Sequence, residues 1–228
     1  MPGKPPLKII RSAWDKALDF VYPIYCIACS VKLGPSDYRR ICDSCWGSIA
    51  YVRAQIVPLP AFLDGTFCCC LYDGVMKKCI QALKYGRKKW LAASLGRIMG
   101  ECASSAPFLG KTDLLVPVPM HAAGLRDRGF NQAELLAGSL SEKFKKEMAG
   151  GIIVKTTRTK NQVGLSGEQR RHNLNGAFSV RGGSGVAGKN VMLVDDVCTT
   201  GATLSECAKI LKENGAAKVY ALVLAHGA

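Results

Sequence analysis

The sequence predicts an α/β protein: a mostly parallel sheet flanked by helices, with a small cysteine-rich module at its N-terminus. Three observations carry that expectation. Residues 189–203 read as an apolar strand, an acidic pair, a hydroxyl-rich turn and the start of a helix, the arrangement by which a parallel sheet presents a phosphorylated ligand at its carboxyl edge. Further runs of strand length at 113–119, 151–155, 177–180 and 218–225 are separated by stretches with helical periodicity, the alternation expected of α/β folds. Two Cys-x₂-Cys pairs, Cys26/Cys29 and Cys42/Cys45, are separated by twelve residues, a spacing suited to a metal-stabilised ribbon.

The N-terminal module is expected over residues 1–60 and the larger domain over 61–228. Residues 7–21 suggest a short amphipathic helix with Ile10, Trp14, Ala17, Leu18 and Val21 on one face. The segment between the two cysteine pairs is polar and turn-rich. It is too poor in apolar groups for a core of its own, and structural Zn²⁺ on four thiolates would supply the missing stability. Four cysteine ligands leave no open position for catalysis. Residues 52–62, with Pro58 and Pro60, look like a linker.

The composition is that of a globular chain, 48% hydrophobic and 21% charged over 228 residues, with a formal net charge of +14. The excess is spread: residues 1–60 carry 8 basic and 4 acidic groups, and residues 61–228 carry 23 and 13. A spread excess points to polyanionic ligands or partners and away from a basic tail. Prolines and lysines in the first ten residues give no apolar leader. No run approaches the ~20 apolar residues that span a bilayer. The expectation is a cytoplasmic protein without membrane insertion, whose eleven cysteines are reduced thiols or metal ligands. Cys68, Cys69 and Cys70 fall in an apolar run and read as small buried hydrophobes, as do Cys79, Cys102, Cys198 and Cys207. Cys198, inside the presumed ligand loop, stands out as the one exposed to oxidation.

Helices are expected over 74–85 and 87–103, broken at Gly86, with the basic cluster Lys84–Lys89 read as a solvated helix end ahead of the alternative, ligand contact. Asp113–Pro119 is a strand running into a rigid turn. His121 follows, and then a loop with Arg126 and Arg128 before a helix with Ala133, Leu136 and Leu140 inward. Arginine grips phosphate oxygens in pairs, so Arg126 and Arg128 are candidates for a second phosphate group. Residues 158–176 form a long polar segment with Arg158, Lys160, Arg170 and Arg171 and a single acid, Glu168. A lid with arginines suits a reaction that expels pyrophosphate and excludes water; nucleic-acid contact is the rival reading.

The chemistry of residues 191–203 follows from residue types. The unpaired N–H groups of a helix N-terminus favour an anion. Gly201 permits a tight turn, and Thr199, Thr200 and Thr203 add hydroxyls. Asp195 and Asp196 repel phosphate and suit hydroxyls or a divalent cation. A phosphorylated ribose satisfies both halves.

This run resembles the phosphoribosyl-pyrophosphate loop of type I phosphoribosyltransferases. The wider order of motifs is similar to the ComF family of competence-associated, phosphoribosyltransferase-like proteins: Pro23-x-x-Cys26-x-x-Cys29 with Cys42-x-x-Cys45, Lys84-Tyr85-Gly86, Pro117-Val118-Pro119, Arg128-Gly129-Phe130-Asn131-Gln132, Gln162-x-Gly164-Leu165-Ser166, and Asp195-Asp196-x-x-Thr199-Thr200-Gly201-Ala202-Thr203. The resemblance implies a type I phosphoribosyltransferase fold with a four-cysteine zinc ribbon on Cys26, Cys29, Cys42 and Cys45. It implies Mg²⁺ with phosphoribosyl pyrophosphate as ligand, the ribose on Asp195 and Asp196 as the catalytic pair, and the 5′-phosphate on Thr199, Thr200, Gly201, Ala202 and Thr203. Arg126, Arg128, Arg158 and Arg170 are then expected on the pyrophosphate. It also implies a role in DNA uptake during natural transformation. Two functions compete on these terms: ribosyl transfer to an undefined acceptor, and a non-catalytic ligand sensor that binds single-stranded DNA or DNA-processing proteins.

Overall fold

A computed structural model describes residues 23–34, 39–156, 176–181 and 185–227. The expected N-terminal helix and most of the arginine-bearing segment 158–176, including Arg158 and Arg170, lie outside the described residues. A six-stranded sheet is built from β3 (Tyr51–Ala54), β4 (Gly65–Leu71), β5 (Leu114–Pro117), β6 (Glu147–Met148), β9 (Asn190–Cys198) and β10 (Lys218–His226). Their order across the sheet is β3-β4-β10-β9-β5-β6. All neighbours run parallel except β3, which pairs antiparallel with β4. The mostly parallel sheet expected from the sequence is therefore present.

β9 and β10 sit in the middle, and the sequence shows why. Val191–Val194 and Val219–Leu224 are near-continuous apolar runs, apart from Tyr220, as strands covered on both faces require. Alternate side chains then enter two separate cores. Met192, Val194, Leu222 and Leu224 pack with α2 (Gly74–Lys84), α3 (Leu91–Ala103) and α5 (Gln132–Phe144). Val191, Leu193, Val219, Ala221 and Val223 pack on the opposite face with α6 (Ala202–Glu213), which buries Leu204, Cys207, Ala208 and Leu211 as its periodicity predicts. α6 ends before Gly215, whose φ of +88° turns the chain, while the Ala216 N–H donates to the Leu211 carbonyl at 3.0 Å.

Several expectations need correction. The segment expected to be a linker opens with β3, so the main sheet starts before Pro58 and Pro60. β3 is short and largely exposed, and an edge strand of that kind has no apolar pattern to betray it. Arg126 and Arg128 stand on a short helix, α4 (Ala122–Arg128), where the sequence suggested a loop. The break between α2 and α3 spans residues 85–90, wider than a single glycine. β7 (Ile153–Lys155) and β8 (Phe178–Val180) form their own antiparallel ribbon beside the sheet.

The cysteine module contains the ribbon β1 (Ile24–Tyr25) and β2 (Lys32–Leu33) and the short helix α1 (Asp43–Gly47). It leans on the larger domain: Ile41 and Ile49 enter the core with α2 and α3. Lys78 Nζ donates to the Ala28 carbonyl at 2.7 Å, and Ser94 Oγ donates to the Arg39 carbonyl at 3.1 Å. Cys68, Cys69, Cys70, Cys79, Cys102, Cys198 and Cys207 are all buried free thiols, as expected for small hydrophobes. No helix among the described residues is long and apolar enough to cross a membrane.

Candidate functional site

The carboxyl ends of β5 and β9 open on a cavity of about 810 Å³. Its walls come from the end of β9 (Asp195, Asp196), the first turn of α6 (Thr203), the α4 region (His121, Asp127, Arg128), the start of α5 (Asn131, Gln132), β7 (Lys155) and the end of α2 with the segment after it (Lys84, Tyr85, Arg87). Among the described residues, four cations and three carboxylates face one space.

The strand period explains how the acidic pair divides. Asp196 follows Met192 and Val194 onto the face covered by α2, and Asp195 follows Leu193 onto the other. Asp196 is 3% exposed. Its Oδ2 lies 2.9 Å from Lys84 Nζ, at the C-terminal end of α2. That contact is an ion pair and not a directed hydrogen bond, for Oδ2 is buried without a hydrogen-bond partner. Burial pushes the Lys84 ammonium toward lower pKa, but Asp196, with Asp195 behind it, outweighs burial and holds it above its usual value. Burial, reinforced by the Asp196 charge, pushes the Asp195 carboxyl up to about 7 against the pull of Lys84. The Asp196 N–H donates to Asp195 Oδ1 at 2.8 Å and fixes that carboxylate's orientation.

The loop from Thr199 to Gly201 leads into α6. Thr200 Oγ1 accepts weakly from the Ala202 N–H at 3.5 Å. The first turn of α6 holds no acidic residue, so the positive end of the helix dipole meets no internal counter-charge there. Gly201 has φ +71°, and a Cβ on it would fall 2.5 Å from Pro60 Cγ. The glycine is therefore required by the protein's own packing as well as by the turn. Thr199 and Thr200 are exposed, Gly201 and Ala202 buried, and Thr203 lines the cavity.

Of the two arginines on α4, Arg128 lines the cavity and Arg126 does not. Residues two apart on a helix point about 200° apart, so one wall can take only one of them. Arg128 donates to Gln132 Oε1 and lies 5.7 Å over the Tyr85 ring. His121 caps α4, its Nδ1 accepting from the Ala123 N–H at 3.1 Å, which leaves only Nε2 for other chemistry. Asn131 is committed twice, with Oδ1 accepting from the Ala133 N–H and Nδ2 donating to the Val118 carbonyl, both at 3.0 Å. Lys84 and Lys155 also line the cavity; the sequence favoured a solvated helix end over ligand contact for Lys84 and gave Lys155 no role. Cys198 is 3% exposed and burial pushes its thiol up to about 12, which suppresses the reactive thiolate.

The sulfurs of Cys26, Cys29, Cys42 and Cys45 all lie within 4.8 Å of one another. Cys29 and Cys42 Sγ are 3.7 Å apart, close to the roughly 3.8 Å expected between thiolates about 2.3 Å from a tetrahedral centre. The Cys42 N–H donates to Cys26 Sγ and the Cys45 N–H to Cys42 Sγ, each at 3.4 Å, as suits thiolates. The four sulfurs fit a single tetrahedral metal ion.

Residues 93–228 match the family described as "Phosphoribosyl transferase domain". The chain belongs to that family. Within it the relatives are competence and DNA utilization proteins, and the protein is a ComF-family, type I phosphoribosyltransferase-like protein. It is similar to Competence protein F of Haemophilus influenzae, 29% identical over 88% of this chain and 84% of that one. It is also similar to the DNA utilization protein YhgH of Escherichia coli O157:H7, 36% identical over 61% of this chain and 62% of that one. Competence protein ComFC of Bacillus subtilis is 25% identical over 78% and 80%. A solved hypoxanthine phosphoribosyltransferase from Staphylococcus aureus aligns at 14% identity and a TM-score of 0.39 over 59% of this chain and 64% of that one. The cysteine module and Lys84 lie outside the matched residues 93–228.

The raised Asp195 gives a pH-dependent stability. Between the unfolded carboxyl's ~4 and the folded value near 7 the native state holds a proton that the unfolded chain has lost, so stability falls as pH rises through that window. Asp195→Asn removes this liability. Its unfolding free energy, measured by urea titration, is expected to exceed that of the parent by about 1 kcal/mol or more at pH 8, with the gain shrinking toward pH 4. A constant difference across this range would contradict the assignment.

Proposed function

We propose that this protein binds Mg²⁺-phosphoribosyl pyrophosphate in the cavity at the end of β9 and transfers its ribosyl group with release of pyrophosphate. The observation that carries the reading is the convergence of Asp195–Asp196, the Thr199–Thr203 turn at the α6 N-terminus, and the cations Lys84, Arg128 and Lys155 around one cavity. The turn suits the 5′-phosphate through backbone N–H groups and hydroxyls. The acidic pair suits the ribose hydroxyls, and the buried Asp196 Oδ2 is owed a donor such as a hydroxyl supplies. The cations suit the pyrophosphate. Magnesium, when bound with the ligand, neutralises phosphate charge.

In the transfer the C1–O bond to pyrophosphate breaks, and the leaving group takes the electron pair. A nitrogen nucleophile forms the new C1–N bond. The chain's contribution is to position the donor and to place negative charge beside the carbon that becomes cationic. Arg128 is a pyrophosphate contact on this reading, with Arg158 and Arg170 as further ones, while Arg126 has no place in the cavity wall. The four-cysteine module holds structural Zn²⁺.

A second reading is favoured by the names of the relatives, which refer to competence and DNA utilization. The cavity would sense the ligand without transfer, while basic and aromatic groups near the cysteine module meet single-stranded DNA or a DNA-processing protein. Arg40 lies 5.4 Å over the Trp90 ring, and Trp90 is 45% exposed. DNA affinity that survives Asp196→Asn and is lost on Cys42→Ser would favour this reading.

Two measurements test the proposal. Titration calorimetry with Mg²⁺ and phosphoribosyl pyrophosphate is expected to show binding that Asp196→Asn weakens about tenfold or more, ~1.4 kcal/mol; no binding by the parent protein would refute it. Metal analysis is expected to give about one zinc per chain, lost in Cys42→Ser and retained in Cys68→Ser. Equal zinc in both variants would refute the four-cysteine site.

A further inference from the structure

Among the described residues Lys84 is the cation paired with the acidic residues, and it opens the Lys84-Tyr85-Gly86 motif, to which the family resemblance assigns no role. Its side chain is 19% exposed and its ammonium faces the cavity. The Asp196 contact engages that ammonium from one side, by charge at 2.9 Å without a directed hydrogen bond. A lysine ammonium carries three N–H donors. Donors remain for a ligand anion lying against the same carboxylate.

The chemistry of the donor says which anion that is. In a 1-pyrophosphorylated ribose the pyrophosphate stands on C1 and the nearest hydroxyl on the adjacent carbon, C2. The 5′-phosphate lies across the ring. A carboxylate that accepts from the ribose hydroxyls therefore sits beside the pyrophosphate, and a cation touching that carboxylate is within reach of it. The α6 N-terminus with Thr203, suited to the 5′-phosphate, belongs to another wall, built on the opposite face of the sheet from α2. Lys84 is thus poised for the leaving group and not for the 5′-phosphate.

We propose that Lys84 is the specificity-determining residue of the site: paired with Asp196, it reads the C1 pyrophosphate and so distinguishes phosphoribosyl pyrophosphate from ribose 5-phosphate. This rests on the donor site proposed above. Lysine meets phosphate as a compact point charge, so the position of its ammonium matters more than hydrogen-bond direction. The ion pair with Asp196 sets that position, and helix α2 carries it from outside the strand that bears the acidic residues.

The test is calorimetric titration of both ligands, phosphoribosyl pyrophosphate and ribose 5-phosphate, with Mg²⁺ present. Parent protein, Lys84→Met, Lys84→Gln and Lys84→Arg are compared, with thermal midpoint and zinc content recorded for each. Lys84→Gln keeps an N–H donor beside Asp196 without the charge, and serves if Lys84→Met does not fold. Lys84→Met and Lys84→Gln are expected to weaken phosphoribosyl pyrophosphate about tenfold or more while changing ribose 5-phosphate less than about threefold, and Lys84→Arg is expected to restore most of the preference. Equal weakening of both ligands would reduce Lys84 to a support for Asp196 and overturn the proposal. So would an unchanged ratio in all three variants. If the parent protein binds neither ligand, the donor-site reading itself fails; if it binds both and the ratio does not move, only the role of Lys84 fails.

Discussion

The parallel pairing of β9 with β10 on one side and β5 on the other is the constraint on which the site depends. Pairing on both edges and packing on both faces force Val191–Val194 to be apolar and leave polarity to begin only where the strand leaves the core. Asp195 and Asp196 stand at that boundary. They are still held in strand geometry, so they point to opposite faces and meet different neighbours. Asp196 meets α2 and its Lys84, and Asp195 is left to the cavity and to its own partner's charge.

Two carboxylates at a buried strand end would be costly without compensation. Lys84 offsets one charge, and the cost of the other appears in the raised Asp195. The compensation is incomplete, since Asp196 Oδ2 lacks a directed donor. Incomplete satisfaction of a buried polar atom is uncommon. Here the atom lies beside a cavity lined by cations, the surroundings on which the proposed ribose site rests. Gly201 shows the same double demand. Its left-handed backbone turns the chain into α6, while its missing side chain admits Pro60 from the segment that precedes β4.

How much of this was legible in the sequence depended on how local the cause was. β9, the acidic pair, the turn and α6 form one continuous run whose periodicity changes from strand to helix, and each expected inward residue is buried. The four cysteines were legible because thiolate spacing is itself the signal, and their sulfurs converge. α5 was legible from Ala133, Leu136 and Leu140. What escaped depended on neighbours distant in sequence. Lys84 precedes Asp196 by more than a hundred residues and resembles any basic helix end until the sheet brings the two together. β3 escaped because an exposed edge strand beside prolines carries no apolar alternation. α4 escaped because seven residues with a single large apolar side chain, Leu125, give no helical period.

The most direct test of the account is a crystal structure of the full chain grown with Mg²⁺ and phosphoribosyl pyrophosphate. The 5′-phosphate is expected on the Thr199–Thr203 turn, a ribose hydroxyl donating to Asp196 Oδ2, and the pyrophosphate on the side of Lys84. A ligand bound elsewhere, or bound in this cavity with its phosphates away from the α6 N-terminus and its ribose away from the acidic pair, would contradict it.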